Sequence, residues 1–305
     1  MTGDGYQSGV DQWRAIKARA KASGGGARAS ALTRQLVHSR FLARLFGETD
    51  SPWVLKGGSA VLMRVDDGRT TKDVDLLHEG DDLDGALAAL RDAAGRDLGD
   101  HFRFVLQARR AGGGAAQPGV EGYRITVQAF CGTAAAGSFP VDLVTGSLMT
   151  GVPDVVVSDV LEVPGLTPPV VRLYPVVDHV ADKLCAVQAR YGQAGDQPSS
   201  RVRDLVDLVV FALSVDVDGA ALSTALHAEW AHRRLEGAPR FEPPETWAQS
   251  YPPVARSLPR CAGYTDLPAA RELVADFLGA ALERRAEGLR WSAVARCWSA
   301  DGAAR

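Results

Sequence analysis

Cysteine is scarce in this chain: Cys131, Cys185, Cys261 and Cys297 are the only four among 305 residues, and no two form a C-x-x-C pair. That spacing argues against a zinc site, and the four are expected to be reduced core or surface residues. No apolar run is long enough to span a membrane, and the first residues lack a signal-peptide apolar stretch. The expected location is therefore the cytoplasm. The Gly-x-x-x-x-Gly-Lys-Ser/Thr spacing of a Walker A loop is also missing, as is any internal repeat. What the chain does have is length and apolar content: 46% of its residues are hydrophobic, enough for a sizeable core and two domains, or one with a large extension.

Net charge is −3, which by itself points away from nucleic acid. Its distribution is uneven. Residues 1–46 hold Arg14, Lys17, Arg19, Lys21, Arg28, Arg34, Arg40 and Arg44 against only Asp4 and Asp11. Such asymmetry either guides a polyanion to one face or is a solvated helix face with a basic tail, and composition does not choose between them.

Three acids stand out from the apolar pattern. In Thr71-Lys72-Asp73-Val74-Asp75-Leu76-Leu77 two aspartates sit one residue apart. On a strand they point the same way, while Val74 and Leu76 face the core. A surface strand also exposes two aspartates without function, so the pair decides nothing alone. Phe139-Pro140-Val141-Asp142-Leu143-Val144 adds a lone aspartate in an apolar strand, opposite in direction to Val141 and Leu143. A charge there needs a partner, either a nearby arginine such as Arg124 or a metal ion. Side-by-side carboxylates repel unless a cation lies between them, and hard divalent ions take such oxygens together with nucleotide phosphates. Asp73, Asp75 and Asp142 are thus candidate ligands for two Mg²⁺ ions around a triphosphate and its attacking hydroxyl.

A phosphate site is foreshadowed just upstream. Pro52-Trp53-Val54-Leu55 reads as a short strand and Ser59 onward as a helix, joined by Lys56-Gly57-Gly58. The glycines let the backbone turn sharply and approach a ligand. Ser59 is the candidate N-cap, and amides at a helix start attract phosphate. Lys56, Gly57, Gly58 and Ser59 are the candidate nucleotide-binding residues.

Gly-Gly-Ser at a helix start, Asp-x-Asp on a strand and a later strand aspartate resemble the nucleotidyltransferase superfamily of polymerase-β type. Within it, Leu55-Lys56-Gly57-Gly58-Ser59-Ala60 followed by Thr71-Lys72-Asp73-Val74-Asp75-Leu76 is similar to the AbiEii toxins of bacterial abortive-infection systems and the related mycobacterial Men toxins. The resemblance covers about residues 10–215 and implies a functional lysine and aspartate in a helical second half. The matching stretches are Val180-Ala181-Asp182-Lys183-Leu184-Cys185-Ala186 and Arg201-Val202-Arg203-Asp204-Leu205, hence Lys183 and Asp204. It further implies an NTP substrate, an RNA acceptor at a tRNA 3′ end, and a toxin restrained by a cognate antitoxin. Some relatives are silenced by phosphorylation of a hydroxyl near this site; Thr71 is the matching candidate, ahead of Ser59 and of Thr70. Three rival functions share parts of the pattern: an antibiotic-modifying nucleotidyltransferase, a housekeeping RNA-tailing enzyme, and a non-catalytic binding protein on the same fold.

The expected architecture is α/β: a mixed sheet flanked by helices over residues 1–160, then a mainly helical half over 161–305. Helices are expected near 10–22, 30–46 and 83–98, and strands over 102–109 and 122–130. Val176, Val180, Leu184 and Val187 form a helical apolar stripe, with His179, Lys183 and Arg190 along its edge. Residues 192–200 form a polar loop able to close over substrate. Trp230, Trp247, Trp291 and Trp298 are expected to pack rather than stack on bases.

Overall fold

A computed structural model describes residues 5–48, 50–65, 71–80, 82–111, 122–191 and 197–300. Two helices open the chain, α1 (Gly9–Ser23) and α2 (Gly26–Leu45). Ser8 caps α1 by accepting from the Asp11 amide, and α2 starts four residues before the expected position, at Gly26, whose φ is +46°. There follow β1 (Trp53–Lys56), α3 (Gly57–Arg64), β2 (Val74–His78) and α4 (Leu83–Ala94). The last is shorter than expected, because the chain leaves the helix at Gly95. A meander of β3 (Phe102–Ala111), β4 (Gly122–Cys131) and β5 (Ala134–Thr145) comes next, then β6 (Asp154–Val157) and β7 (Val170–Leu173).

These strands form one mixed sheet in the order β3-β4-β5-β2-β1-β7-β6. The β2–β5 and β1–β7 pairs are parallel and the rest antiparallel. Alternation sets its two faces. Trp53, Leu55, Val74, Leu76, Ile125, Val127, Val141 and Leu143 pack against α2 and α4. The opposite face carries Lys56, Asp75, Arg124 and Asp142 instead, and so becomes the floor of a cleft.

The second half is α5 (Val176–Gln188), α6 (Val202–Ala212), α7 (Gly219–His232), α8 (Tyr251–Arg256) and α9 (Leu267–Leu282). A small sheet of β8 (Val217–Asp218), β9 (Leu289–Ser292) and β10 (Cys297–Ala300) supplements them. The expected stripe is buried: Val180, Leu184 and Val187 pack with Leu205, Leu208 and Val209 of α6. Val61 of α3 and Val65 at its C-terminal cap belong to this same core, so α3 stands between the two halves. The division expected at 160/161 falls between β6 and β7, which pair with each other; we place the junction at Pro175, between β7 and α5. The four indoles each donate to a backbone carbonyl, those of Ala212, Ser199, Gly237 and Asp276, in keeping with packing. No disulfide joins the cysteines, of which only Cys297 is exposed. Among the described residues no helix is long and apolar enough to cross a membrane.

One buried ion cluster anchors α2 to the sheet. Arg44 is 0% exposed, and its guanidinium donates to Asp100 at 2.7 and 3.0 Å and to the Phe102 carbonyl at 2.7 Å. Arg40 donates to the same carboxylate at 2.8 Å. Two members of the basic N-terminal set are therefore core residues, not surface charge. Burial pushes the Asp100 carboxyl upward, and the bonds and charges of Arg44 and Arg40 outweigh it, leaving its pKa below the ordinary value. Stability from a depressed carboxylate is present above the unfolded pKa and lost as pH falls through the folded one. Asp100→Asn would leave two buried cations facing a neutral amide. The expected loss is about 3–5 kcal/mol, read at neutral pH in denaturant, with the gap to wild type closing at acid pH.

Candidate active site

The register of β2 against β5 places Asp75 directly beside Asp142, and the register of β4 against β5 places Arg124 directly beside Asp142 on the other side. Asp73 precedes β2 by one residue rather than lying in it, yet it lines the same cleft as Asp75 and Asp142. All three acids thus gather on one wall. Arg124 bridges two of them, at 2.5 Å from Asp142 and 3.5 Å from Asp73. The arginine pairing expected for Asp142 is present, and Asp142 shares the cleft with Asp73 and Asp75.

The strand–turn–helix beside them is built for close approach. Gly57 has φ +58°, and a Cβ there would lie 2.0 Å from Asp75 Oδ2. Only glycine allows both that backbone and that carboxylate. The helix begins at Gly57, with Lys56 in the cap position and no side-chain cap. Ser59 is therefore not the N-cap; its hydroxyl donates to the Asp73 carbonyl at 2.8 Å and ties the helix to the carboxylate segment. Among the described residues no side chain caps the first amides of α3, which suits an anion. Lys56 Nζ donates to Ser147 Oγ at 3.0 Å and lies 4.2 Å from the Tyr174 ring centroid.

The helical half closes the cleft from across. Lys183, at 5% exposure, is not a solvated helix lysine. It lies 2.6 Å from Asp204 and 2.9 Å from Asp207, while Arg201 holds the other Asp204 oxygen at 2.7 Å. Lys183, Arg201, Arg203 and Asp204 line the same cleft of about 560 Å³ as the three sheet aspartates. His179, expected along that edge, is instead fully buried between Tyr174 and Phe211. Burial first, then the charge of Lys183, pushes its pKa well down, so it stays neutral. Of the polar loop, residues 192–196 lie outside the described residues, as does Thr70; Thr71 lies ahead of β2, not in a strand, and lines the cleft. Its Oγ1 is 3.3 Å from the Asp73 carbonyl and 3.4 Å from the Asp73 amide.

The electrostatics call for a cation. Desolvation, then the charge of Asp142, raises the Asp75 carboxyl to about 6, with Lys183 and Lys56 opposing. Burial also raises Asp142, against the pull of Arg124. Among the described residues no three His, Cys, Asp or Glu side chains form a ready metal cage. Mg²⁺ does not need one, since it binds through one or two carboxylates plus substrate phosphates. The hard oxygen donors and the crowded, poorly neutralised Asp75 fit such an ion.

Of the residues that sequence reasoning brought together, Lys56, Gly57, Gly58, Asp73, Asp75, Asp142, Lys183 and Asp204 line one cleft, and Ser59 does not line it. Sequence reasoning did not anticipate Ser147, Arg201 or Asp207 as their partners. Arg124 it named only as a pairing for Asp142. No local motif marks these four: Arg124, Ser147 and Arg201 line the cleft and Asp207 meets Lys183 behind it, through contacts set by the tertiary fold.

Without metal, the folded state favours the neutral Asp75 carboxyl. Its stabilising contribution is complete below the unfolded value of 3.8 and is lost as pH rises through about 6. Asp75→Asn should remove that loss. Thermal midpoints of the metal-free proteins, followed from about pH 4.5 to pH 7.5, should diverge in favour of the variant; parallel curves would contradict the crowding.

Residues 40–281 match the family described as nucleotidyl transferase AbiEii toxin, type IV toxin–antitoxin system. Among solved structures, MenT4, a nucleotidyltransferase toxin from Mycobacterium tuberculosis H37Rv, aligns with a TM-score of 0.50 at 18% identity, over 90% of this chain and 98% of that one. JHP933 from Helicobacter pylori aligns with a TM-score of 0.46 at 14% identity, over 83% of this chain and 93% of that one. The likeness to MenT4 is one of fold. No curated protein matches the chain significantly.

Proposed function

We infer the reaction from one premise: the chain belongs to the AbiEii family of nucleotidyl transferase toxins of type IV toxin–antitoxin systems, and is a nucleotidyltransferase. The family implies an antitoxin partner. We propose that the enzyme moves a nucleoside monophosphate from an NTP onto the 3′ hydroxyl of an RNA acceptor, tRNA, in the cytoplasm. The observation that carries this reading is the convergence of Asp73, Asp75 and Asp142 with the uncapped start of α3 and the cations Lys56 and Lys183 in one cleft.

In this mechanism the acceptor oxygen attacks the α-phosphorus, a new O–P bond forms, and the bond to the β-phosphate oxygen breaks to release pyrophosphate. Asp142 takes the hydroxyl proton; its raised pKa brings it nearer the range in which a carboxylate works as a base. Gly57, Gly58 and Ser59 direct backbone amides at phosphate, and Lys56 offsets its charge. Lys183, positioned by Asp204 and Asp207, presents a second cation from the helical half. Two Mg²⁺ ions held by Asp73, Asp75 and Asp142 would supply charge neutralisation and acidify the attacking hydroxyl. A cationic drug as acceptor would want an acidic pocket. Here five acids (Asp73, Asp75, Asp142, Asp182, Asp204) meet five cations (Lys56, Arg124, Lys183, Arg201, Arg203), which favours a phosphate-bearing partner.

Incubation with each labelled NTP and total RNA, with the products sized, should show label on tRNA-length species. Asp142→Asn keeps the shape but not the basicity, so transfer should fall ~10²-fold or more in a variant that still folds. Retention of more than about a third of the rate, a barrier change under ~0.7 kcal/mol, would make Asp142 a structural residue.

Thr71 is the proposed control point. A phosphate adds about −1.5 to −2 charge, and beside Asp73 it would repel the incoming triphosphate. Thr71→Glu should abolish transfer while Thr71→Val, which keeps the bulk without the charge, retains most of it. Equal activity in the two variants would remove Thr71 from regulation.

A further inference from the structure

Sorting the eight N-terminal cations by partner separates them cleanly. Arg40 and Arg44 are bound to Asp100, Arg14 pairs with Asp11, and Arg19 donates to the Tyr6 hydroxyl. Lys17, Lys21, Arg28 and Arg34 have no carboxylate partner among the described residues, Lys17 lying only 5.8 Å from the Trp13 ring centroid. Three of these four line one groove of about 570 Å³, between α1, α2 and residues 136–139 of β5, and among the described residues no acid lines it. Its floor includes Val37 and Phe139. The hydroxyls of Ser30 and Thr33 in its wall donate back to carbonyls of their own helix, at 3.2 and 2.8 Å. Recognition here therefore rests on positive charge rather than on a hydrogen-bond code. The neighbouring His38 feels the same field: burial first, then the charge of Arg34, lowers it to about 4.

β5 borders both depressions, the groove on the side of α1 and α2 and the active-site cleft on the opposite face. Ser138 lines the groove and Asp142 lines the cleft, and both lie on β5. Four residues of extended strand span about 13 Å, the reach of a few nucleotides of single-stranded backbone. β2 pairs with β5 only from Val141 onward, so among the described residues no strand pairs with that side of β5 from 134 to 140.

We propose that this groove is the RNA-backbone site of the enzyme: Lys17, Lys21 and Arg34 hold phosphates of the acceptor strand a few nucleotides from the 3′ hydroxyl that Asp142 deprotonates. The assignment rests on the RNA-acceptor reading above and adds where the strand lies. Contacts of this kind carry no base information, so the groove contributes affinity and leaves sequence choice to the cleft.

The test is fluorescence anisotropy with labelled tRNA, titrated over a range of salt, for wild type and Lys17→Gln/Lys21→Gln/Arg34→Gln. Each lost phosphate contact lowers the slope of log affinity against log salt by about 0.7 for a single strand. The triple variant should lose about 2 in slope and ~10-fold or more in affinity near 0.15 M salt. Its KM for RNA should rise while kcat and the KM for NTP stay put. Lys17→Gln/Lys21→Gln, both at exposed positions, gives a smaller effect of the same sign and serves if the half-buried Arg34 proves necessary for folding. Unchanged affinity and slope in an enzyme that still labels RNA would overturn the groove assignment alone, leaving it to an acidic protein. A wild type that neither binds nor labels RNA would overturn the acceptor reading and this one with it.

Discussion

Like charges forced together dominate this molecule. Parallel pairing of β2 with β5 sets Asp75 and Asp142 side by side, and Asp73 adds a third negative charge to the same wall. Such an arrangement is unfavourable unless cations surround it. The chain supplies one within the sheet, Arg124, and brings others from the turn and from the helical half, Lys56 and Lys183. Opposed charge holds the two walls of the cleft together. Arg124 thereby acquires a double character: it neutralises Asp142 and Asp73, and it contends with any metal for their oxygens.

The second constraint is that the cleft has two walls from two cores. The sheet wall is stiffened from behind by α2, whose Arg40 and Arg44 are locked to Asp100 with almost no exposure to water. The helical wall is stiffened by Lys183 between Asp204 and Asp207, again nearly dry. Buried ion clusters give little net stability over apolar packing, but breaking one is strongly unfavourable. They are therefore suited to fixing a lysine or a helix in one orientation. Between the walls lies α3, whose first residues face the cleft and whose Val61, with Val65 at its C-terminal cap, enters the second core. Displacement of the helical half is thus coupled to the turn at Gly57 and Gly58.

Charge at the surface follows a similar division of labour. The N-terminal helices contribute two arginines to the interior and leave three cations along a groove that β5 also borders. A chain of net charge −3 can in this way offer a local positive track to a polyanion.

Residues with strong local logic were legible before any coordinates. Period-two alternation around Asp75 and Asp142 set their face, the paired glycines after Lys56 set the turn, and the Val176 stripe set the helix that carries Lys183. Each rests on interactions within a few residues, which sequence records directly. The role of Ser59 was misjudged because a cap depends on where the helix starts, and Gly57, able to take φ +58°, starts it two residues early. His179 looked like a cleft residue on its helix edge, and docking against Tyr174 and Phe211 buried it. The adjacency of Arg124 to Asp142, the Lys183–Asp207 contact across 24 positions and the burial of Arg44 on Asp100 all belong to the tertiary structure. Sequence determined which side chains share a strand face or a helix stripe. Which charge meets which was decided by strand register and helix packing, because partners distant in the chain meet only when the two cores form.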